Sequence, residues 1–185
     1  ECVKANVADL VLMGIAPTYA SEKYGYVVPE EQVSEVSGSK FQKVSRFTEK
    51  PTTAVAKDLL KQGALWNGGV FAFRLGYMMN IVRKYMTSDS FEDTRSLYSE
   101  FPKISFDYEV AEKAESVAVV PFNGEWKDLG TWNTLTDELH KPVIGNAVMG
   151  AHCENTHIIN ELHNPIFVDG LKDVVVAACP DGILV

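Results

Sequence analysis

The amino-acid sequence predicts an α/β fold: a layered sheet with helices, followed by a small all-β module. Up to Lys141, strand-like and helix-like segments alternate, which favours a largely parallel sheet. Beyond Lys141, helical periodicity disappears, and short β-prone pieces alternate with turns. That texture is typical of a few coils of a β-helix or of a small meander. We therefore predict two domains, residues 1–141 and residues 142–185.

Strands are predicted in the first domain from apolar and β-branched runs. The first run, LVLMGIA, is apolar throughout, as in a strand buried on both faces. YGYVV and KFQKVSRFT follow, with a polar loop over residues 29–39 between them, and LWNGGVFAF carries a glycine pair before VAVVP ends the series. The runs lie at residues 10–16, 24–28, 40–48, 65–73 and 117–121.

Helices are predicted between these strands from punctuation and apolar spacing. Pro51 begins a helix that Gly63 ends. A second helix follows Gly76, Asp107 begins another, and Thr131 is a candidate N-cap for the last. The segments lie at residues 51–63, 76–86, part of 88–101, 105–114 and 131–139.

Composition and charge argue against two classes of partner. The net charge of −8, from 25 acidic and 17 basic side chains, is unlike the basic face of a nucleic-acid-binding protein. No apolar run approaches the roughly 20 residues that span a bilayer. Three scattered cysteines without CxxC spacing, and no signal-peptide layout, indicate a cytoplasmic location. We expect neither nucleic-acid nor membrane partners.

Two polar groups stand where α/β sheets bind ligands. Glu49 and Lys50 end a strand before Pro51, where the carboxylate could accept from sugar hydroxyls and the ammonium could pair with a phosphate. The alternative is a solvated turn. Asn67 stands beside Gly68 on a strand, where glycine marks either close approach by a ligand or a bulge.

Other polar residues have less specific patterns. Asp107 and Lys113 could bind substrate, or could be a helix cap and a solvated lysine. Asp128, in the WKDLG loop, suits a Mg²⁺ ligand, because Mg²⁺ takes one or two carboxylates plus substrate phosphates; the alternative is a turn before Gly130. We predict no zinc site in the tail, since the potential ligands there fit no regular spacing. They are His152, Cys153, His157 and His163.

The order of the motifs is more informative than any one of them. Along the chain stand GIAPT, KYGYV, FTEKP, WNGGVFAF, SFDYEVAEK, WKDLGTW, GN and GLKDVVVAACPDGILV. This series covers nearly the whole chain and resembles the mannose-1-phosphate guanylyltransferases, a branch of the sugar-nucleotide pyrophosphorylases. The resemblance implies an incomplete Rossmann-like nucleotidyltransferase sheet, followed by a β-helix-like module.

The resemblance also implies an activity: transfer of GMP from GTP to mannose 1-phosphate, giving GDP-mannose and pyrophosphate, with Mg²⁺ as cofactor. The sugar phosphate is already an anion, so catalysis would rest on positioning and charge neutralisation rather than on a protein base. It implies that Gly25 lines the sugar site, Glu49 holds sugar hydroxyls, Lys50 meets the phosphate, Asn67 contacts the sugar beside Gly68, and Asp128 binds Mg²⁺. Asp107 and Lys113 match further motif positions.

Two departures from the family pattern limit these expectations. The family usually has Ser where Gly68 stands. Its Gly-rich triphosphate signature and a second metal-binding Asp are not among the 185 residues, which also lack an initiator Met. We therefore expect a fragment that is inactive by itself. A pyrophosphorylase for another hexose 1-phosphate, a catalytically inactive regulatory or binding subunit, homo-oligomerisation and an isomerase domain after Val185 are open alternatives.

Overall fold

Two units make up the chain, Glu1–Trp126 and Lys127–Val185. The structure is a computed structural model, and it describes residues 1–86, 88 and 90–185. The domain boundary predicted near Lys141 falls within the second unit and stays a prediction.

The first unit is built on one sheet that contains every strand predicted for it. The order β1-β4-β2-β3-β5 closes on itself through pairing of β5 with β1. The strands are β1 (Leu10–Ile15), β2 (Tyr26–Val36), β3 (Ser39–Thr48), β4 (Leu65–Phe73) and β5 (Val117–Phe122).

The expectation of a largely parallel sheet is wrong. Among the described residues, β1 and β5 are the one parallel pair of this sheet, and its other four pairings are antiparallel. A parallel neighbour needs a crossover connection of a dozen or more residues, whereas β2 and β3 are joined by a tight turn. The alternation of helices and strands in the sequence therefore overstated the number of crossovers.

Residues 29–39, predicted as a loop, instead form most of β2, its turn and the start of β3. Pairing with β3 satisfies the backbone of this polar, solvent-facing stretch, and Pro29 lies at an irregularity of the register. Ser37 and Gly38 have φ values of 50° and 79°, as the favoured two-residue hairpin turn requires. The polar composition indicated exposure but not the absence of a strand.

The helices of the first unit largely follow the predicted ones. α1 begins after Pro51 and is followed by Gly63, whose φ of 76° stops the helix. The helix expected over residues 105–114 is a single π-helical turn, a form that often occurs at functional sites. Asp89, inside the segment 88–101, lies outside the described residues. The elements are α1 (Thr53–Lys61), α2 (Leu75–Val82), α3 (Phe91–Ser96), a 3₁₀ turn (Tyr98–Glu100) and the π-helix (Asp107–Ala111).

Apolar residues of the sheet form the core on both of its faces. Leu10 and Leu12 of β1 pack with Val119 of β5 in one cluster. On the other side, Leu59 of α1 packs against a cluster that includes Trp66. Full burial of each such side chain contributes about 1.5–3 kcal/mol, so the core holds the strand ends in fixed positions.

The second unit is all-β apart from one helix, α4 (Trp132–Thr136), which Thr131 caps as predicted. Five of its strands stack in parallel, β6 on β8 on β10 and β7 on β9, which supports the β-helix-like prediction over a meander, while β11 pairs antiparallel with β10. Gly145, with φ of 85°, lets two coils stack closely, since a Cβ there would lie 1.9 Å from the carbonyl oxygen of Asn160. The strands are β6 (Val143–Gly145), β7 (Ala147–Met149), β8 (His157–Asn160), β9 (Ile166–Val168), β10 (Val175–Cys179) and β11 (Gly182–Leu184).

No helix in the described part of the chain is long and apolar enough to cross a membrane.

Candidate functional site

Three of the predicted site residues meet where strands of the first sheet begin and end. The register pairs Tyr26 of β2 with the last residue of β3 and with Trp66 of β4. Gly25 just before β2, Glu49 just after β3 and Asn67 in β4 are therefore neighbours.

Gly25 gives this group its close packing. A Cβ on Gly25 would lie 2.4 Å from Oε2 of Glu49 and 3.3 Å from Cβ of Asn67. The carbonyl oxygen of Gly25 also accepts a hydrogen bond from the backbone N–H of Asn67 at 2.8 Å. A side chain at residue 25 would displace the carboxylate of Glu49, so glycine leaves its backbone as the part that can line a site.

Glu49 is the most unusual group of the cluster. Its side chain is 6% exposed, Oε1 lies 3.4 Å from Nζ of Lys50, and Oε2 is buried without a hydrogen-bond partner among the described residues. Burial raises the pKa of Glu49, and the negative charge of Asp107 raises it further, while the charge of Lys50 opposes both. A buried unpaired oxygen is costly, and it is typical of a site that awaits a hydrogen-bond donor.

Lys50 has a strained backbone. Its φ is 44°, a left-handed conformation that costs a residue with a side chain of the order of 1–3 kcal/mol. Its side chain is about half exposed, so the ammonium can neutralise a ligand while it stays next to Glu49. Strain of this kind persists only where the surrounding structure imposes it, which here is the turn into Pro51 and α1.

Asn67 connects the cluster to Asp107. Its Nδ2 donates to Oδ1 of Asp107 at 2.8 Å, and its Oδ1 accepts from the backbone N–H of Gly69 at 3.1 Å. Both ends of the amide are thus held by the protein, which fixes its orientation. Asp107 begins the π-helix, so this bond joins the π-helix to β4.

Gly68 faces β1 rather than the cluster. A Cβ there would approach Cε of Met13 at 2.9 Å and Cγ1 of Ile15 at 3.2 Å. The pairing of β1 with β4 changes register between Leu12 and Gly14, which agrees with a bulge, one of the two alternatives that the sequence left open. The role of Gly68 in substrate binding stays a prediction, and close packing of β4 on β1 accounts for the missing side chain.

Lys113 is not brought to the cluster. It forms an ion pair with Glu109 one turn earlier, and it lines a separate cavity with Asp9 and Tyr77. Its predicted contact with substrate therefore stays a prediction.

Asp128 lies in the second unit, in an exposed turn. Its Oδ1 accepts from the backbone N–H of Gly130 at 2.8 Å, as expected of a turn aspartate. The described residues contain no group of three or more His, Cys, Asp or Glu side chains that could hold a metal ion. One carboxylate fits one position of a Mg²⁺ site that takes other ligands from water and phosphate, so Asp128 could supply a single protein ligand.

Two features near the cluster were not predicted. Glu22 accepts from the backbone N–H and the hydroxyl of Thr53, at 2.6 and 2.7 Å. In addition, Trp66 packs edge-on against Tyr24 at a centroid distance of 4.8 Å, and Trp126 lies 6.4 Å from Trp66. Single positions in a sequence do not indicate such pairings, although Tyr24 and Trp66 each adjoin a predicted site residue.

The chain belongs to the nucleotidyl transferase family, whose model matches residues 2–142. The match confirms the nucleotidyltransferase class that the ordered series of motifs had predicted.

The relatives include proteins named as mannose-1-phosphate guanylyltransferases. The chain is 31% identical over 202 residues to the xanthan biosynthesis protein XanB of Xanthomonas campestris, and 29% identical over 197 residues to the mannose-1-phosphate guanylyltransferase RfbM of Salmonella typhimurium. These matches cover 98% and 95% of this chain but 42% and 40% of the relatives. The chain therefore spans about two fifths of the length of these curated relatives.

A solved structure confirms the fold. The crystal structure of a mannose-1-phosphate geranyltransferase from Thermus thermophilus matches with a TM-score of 0.62 and 27% identity, over 98% of this chain and 57% of that chain. The predicted class, a nucleotidyltransferase-like α/β fold followed by a small β module, is thus correct. The resemblance to mannose-1-phosphate guanylyltransferases is also confirmed.

Proposed function

We propose that the intact protein transfers GMP from GTP to mannose 1-phosphate, and that this chain carries the site for the sugar phosphate. The observation that supports this most directly is the buried Oε2 of Glu49, which has no hydrogen-bond partner in the described part of the chain and lies beside the backbone of Gly25. A hexose offers hydroxyl donors that would satisfy such an oxygen. The name of a relative, a mannose-1-phosphate guanylyltransferase, supports the choice of mannose 1-phosphate and a guanine nucleotide.

Each residue of the cluster has a distinct part in this proposal. Glu49 accepts from sugar hydroxyls, and the backbone of Gly25 lines the same side of the ring. Lys50 places its ammonium near the phosphate. The ion pair with Glu49 and the fixed turn limit the positions that this ammonium can take. Asn67 and Asp107 hold each other, so that they keep β4 and the π-helix in place around the sugar.

The chemistry needs few protein groups. An oxygen of the sugar phosphate forms a bond to the α-phosphorus of GTP while the bond from that phosphorus to the bridging oxygen breaks, and pyrophosphate leaves with the electron pair. The nucleophile is already an anion, so no protein base takes part. Lys50 reduces the repulsion between the two phosphates as they approach, which is electrostatic catalysis.

Asp128 is proposed as one protein ligand of Mg²⁺ in the intact protein. When bound, Mg²⁺ would neutralise phosphate charge. We expect Asp128→Ala in the intact protein to lower turnover far more than it weakens binding of mannose 1-phosphate. Steady-state GDP-mannose formation and calorimetric binding measure the two effects. An unchanged rate would mean that Asp128 is not a ligand of Mg²⁺.

Calorimetric titration of the 185-residue chain with mannose 1-phosphate tests the sugar site. We expect binding by the wild type, a loss of about tenfold or more in Glu49→Ala, and a smaller loss in Lys50→Met. Titration with mannose itself is the matched control: Lys50→Met should leave its affinity unchanged, because mannose has no phosphate. Equal affinities of wild type and Glu49→Ala for the sugar phosphate would contradict the proposed site.

The substrate is tested on the intact protein with a panel of hexose 1-phosphates and nucleoside triphosphates. We expect mannose 1-phosphate with GTP to give the highest kcat/KM. If another sugar phosphate or nucleotide gave a higher kcat/KM, the enzyme class would stand and the proposed substrates would be wrong. Binding of the sugar phosphate without any product would favour an inactive binding subunit.

A further inference from the structure

Glu22 joins two pieces of the candidate site that are far apart in sequence. Its Oε1 accepts from both the backbone N–H and the hydroxyl of Thr53, the first residue of α1, 31 positions later. In the described chain, the N-cap residue Thr52 makes no side-chain capping bond. Glu22 therefore supplies from a distant loop the acceptor that a helix start needs, and its charge suits the positive end of the helix.

Hydrogen bonds on both sides of Glu22 hold the loop that carries it. The hydroxyl of Tyr26, which is fully buried, accepts from the N–H of Ser21 at 2.8 Å and donates to the carbonyl oxygen of Ser21 at 3.0 Å. Gly25, between Glu22 and β2, bonds through its carbonyl oxygen to Asn67. The loop is thus a fixed part of the molecule, and Glu22 is the point where it meets α1.

On the other side of the contact, the helix start is directly connected to Lys50. Only Pro51 and Thr52 separate Lys50 from Thr53. Lys50 has a φ of 44°, and a following proline further restricts its backbone. Because this connection is short, a shift of Thr53 would also shift the strained turn at Lys50.

We propose that Glu22 is a positioning residue that locks the Gly25 loop and the Lys50 turn into one unit, so that the sugar side and the phosphate side of the ligand site keep their separation. This inference rests on the proposed function, since it assigns a purpose to the contact through Gly25 and Lys50. It adds a residue outside the motifs that the sequence singled out.

Variants of the 185-residue chain test the proposal with two readouts. Hydrogen exchange of the Thr53 amide reports on the contact itself, whatever the ligand is, and calorimetry reports the affinity for mannose 1-phosphate. We expect Glu22→Ala to accelerate the exchange and to weaken the affinity by about three- to tenfold, because small misplacements of binding groups are costly. Glu22→Gln keeps an oxygen acceptor, so it should stay within about twofold of the wild type in affinity.

Lys57→Gly is the matched control for a purely structural effect. It weakens the same helix at an exposed interior position without touching the contact with Glu22. We expect it to lower stability and leave affinity unchanged. Glu31→Ala, which removes an exposed carboxylate from β2, controls for net charge.

The outcomes separate this proposal from the one on which it rests. Faster exchange in Glu22→Ala with wild-type affinity would overturn the positioning role and leave the sugar site intact. An equal loss of affinity in Lys57→Gly would reduce Glu22 to a stabiliser of the helix and also overturn it. No binding of mannose 1-phosphate by the wild type would overturn the proposed function, and the role of Glu22 with it.

Discussion

Opposing electrostatic effects act on the ionisation of the Glu49 carboxyl group. Burial and the nearby charge of Asp107 disfavour its ionised form, whereas Lys50 at 3.4 Å favours it. The balance leaves the pKa raised, so ionised Glu49 opposes folding. A ligand hydroxyl would relieve this cost, because it would supply the donor that Oε2 lacks among residues 1–86, 88 and 90–185.

A pH dependence of stability follows from the raised pKa of Glu49. The folded state binds this proton more tightly than the unfolded chain, whose carboxyl has the ordinary pKa of 4.5. The contribution of Glu49 to the free energy of unfolding should therefore fall as the pH rises from 4.5 through the raised pKa. Glu49→Gln cannot ionise and should lack this decline, which urea denaturation between about pH 4.5 and pH 8 would measure.

Glu31→Gln provides the control for this experiment, because it removes an exposed carboxylate from the same unit. Its stability profile should run parallel to that of the wild type. If the profile of Glu49→Gln did so as well, Glu49 would have no raised pKa in the folded protein.

At the scale of residues, the sequence singled out positions that lie together, but it could not predict the surroundings of each side chain. Gly25, Glu49 and Asn67 were identified from ordered motifs, and the structure brings them together. The burial of Glu49 and the orientation of Gly68 toward β1 depend on the bulge and on strands distant in sequence, so no local pattern could reveal them.

At the scale of elements, the bond between Asn67 and Asp107 joins β4 to the π-helix. We expect a double-mutant cycle of Asn67→Ala and Asp107→Ala to give a coupling energy of about 1–3 kcal/mol, as for a hydrogen bond to a charged group. Denaturation of the four proteins of the cycle measures it. Asp107→Asn keeps an oxygen acceptor and should cost less than Asp107→Ala. Additive effects of the two alanine substitutions would mean that this bond does not join the two elements.

The sequence predicted where most of the elements lie, but not whether neighbouring strands run parallel or antiparallel. Apolar runs mark β1, β4 and β5 because burial acts on local composition. Whether two strands run parallel depends on which partner each one finds, and the hairpin of β2 and β3 was hidden by polar, solvent-facing residues.

At the scale of the whole molecule, each unit has its own core, and Gly145 is critical for the second. A Cβ at this position would overlap the carbonyl oxygen of Asn160, and φ of 85° disfavours any residue with a side chain. We expect Gly145→Ala to destabilise the Lys127–Val185 unit by at least about 2 kcal/mol. Faster reaction of Cys153 and Cys179 with a thiol reagent would report the loss.

Cys2 is the internal reference for this measurement, because it is buried in the first unit. Gly76→Ala is the matched substitution, since a Cβ there meets nothing within 4 Å and alanine favours the helix α2. Labelling of Cys153 and Cys179 at the wild-type rate in Gly145→Ala would mean that the coils tolerate a wider spacing.

The aromatic group of Tyr24, Trp66 and Trp126 also has an optical consequence. Indole rings with centroids 6.4 Å apart and planes inclined by 49° form a chiral pair of chromophores, whose excited states mix when they are this close. Tyr24 and Trp66 adjoin Gly25 and Asn67 in the chain, so a small shift of the strand ends changes the coupling between the rings. The circular dichroism of the protein's own tryptophans would then give a label-free signal of the proposed sugar-phosphate binding, with Trp126→Phe as the spectral blank.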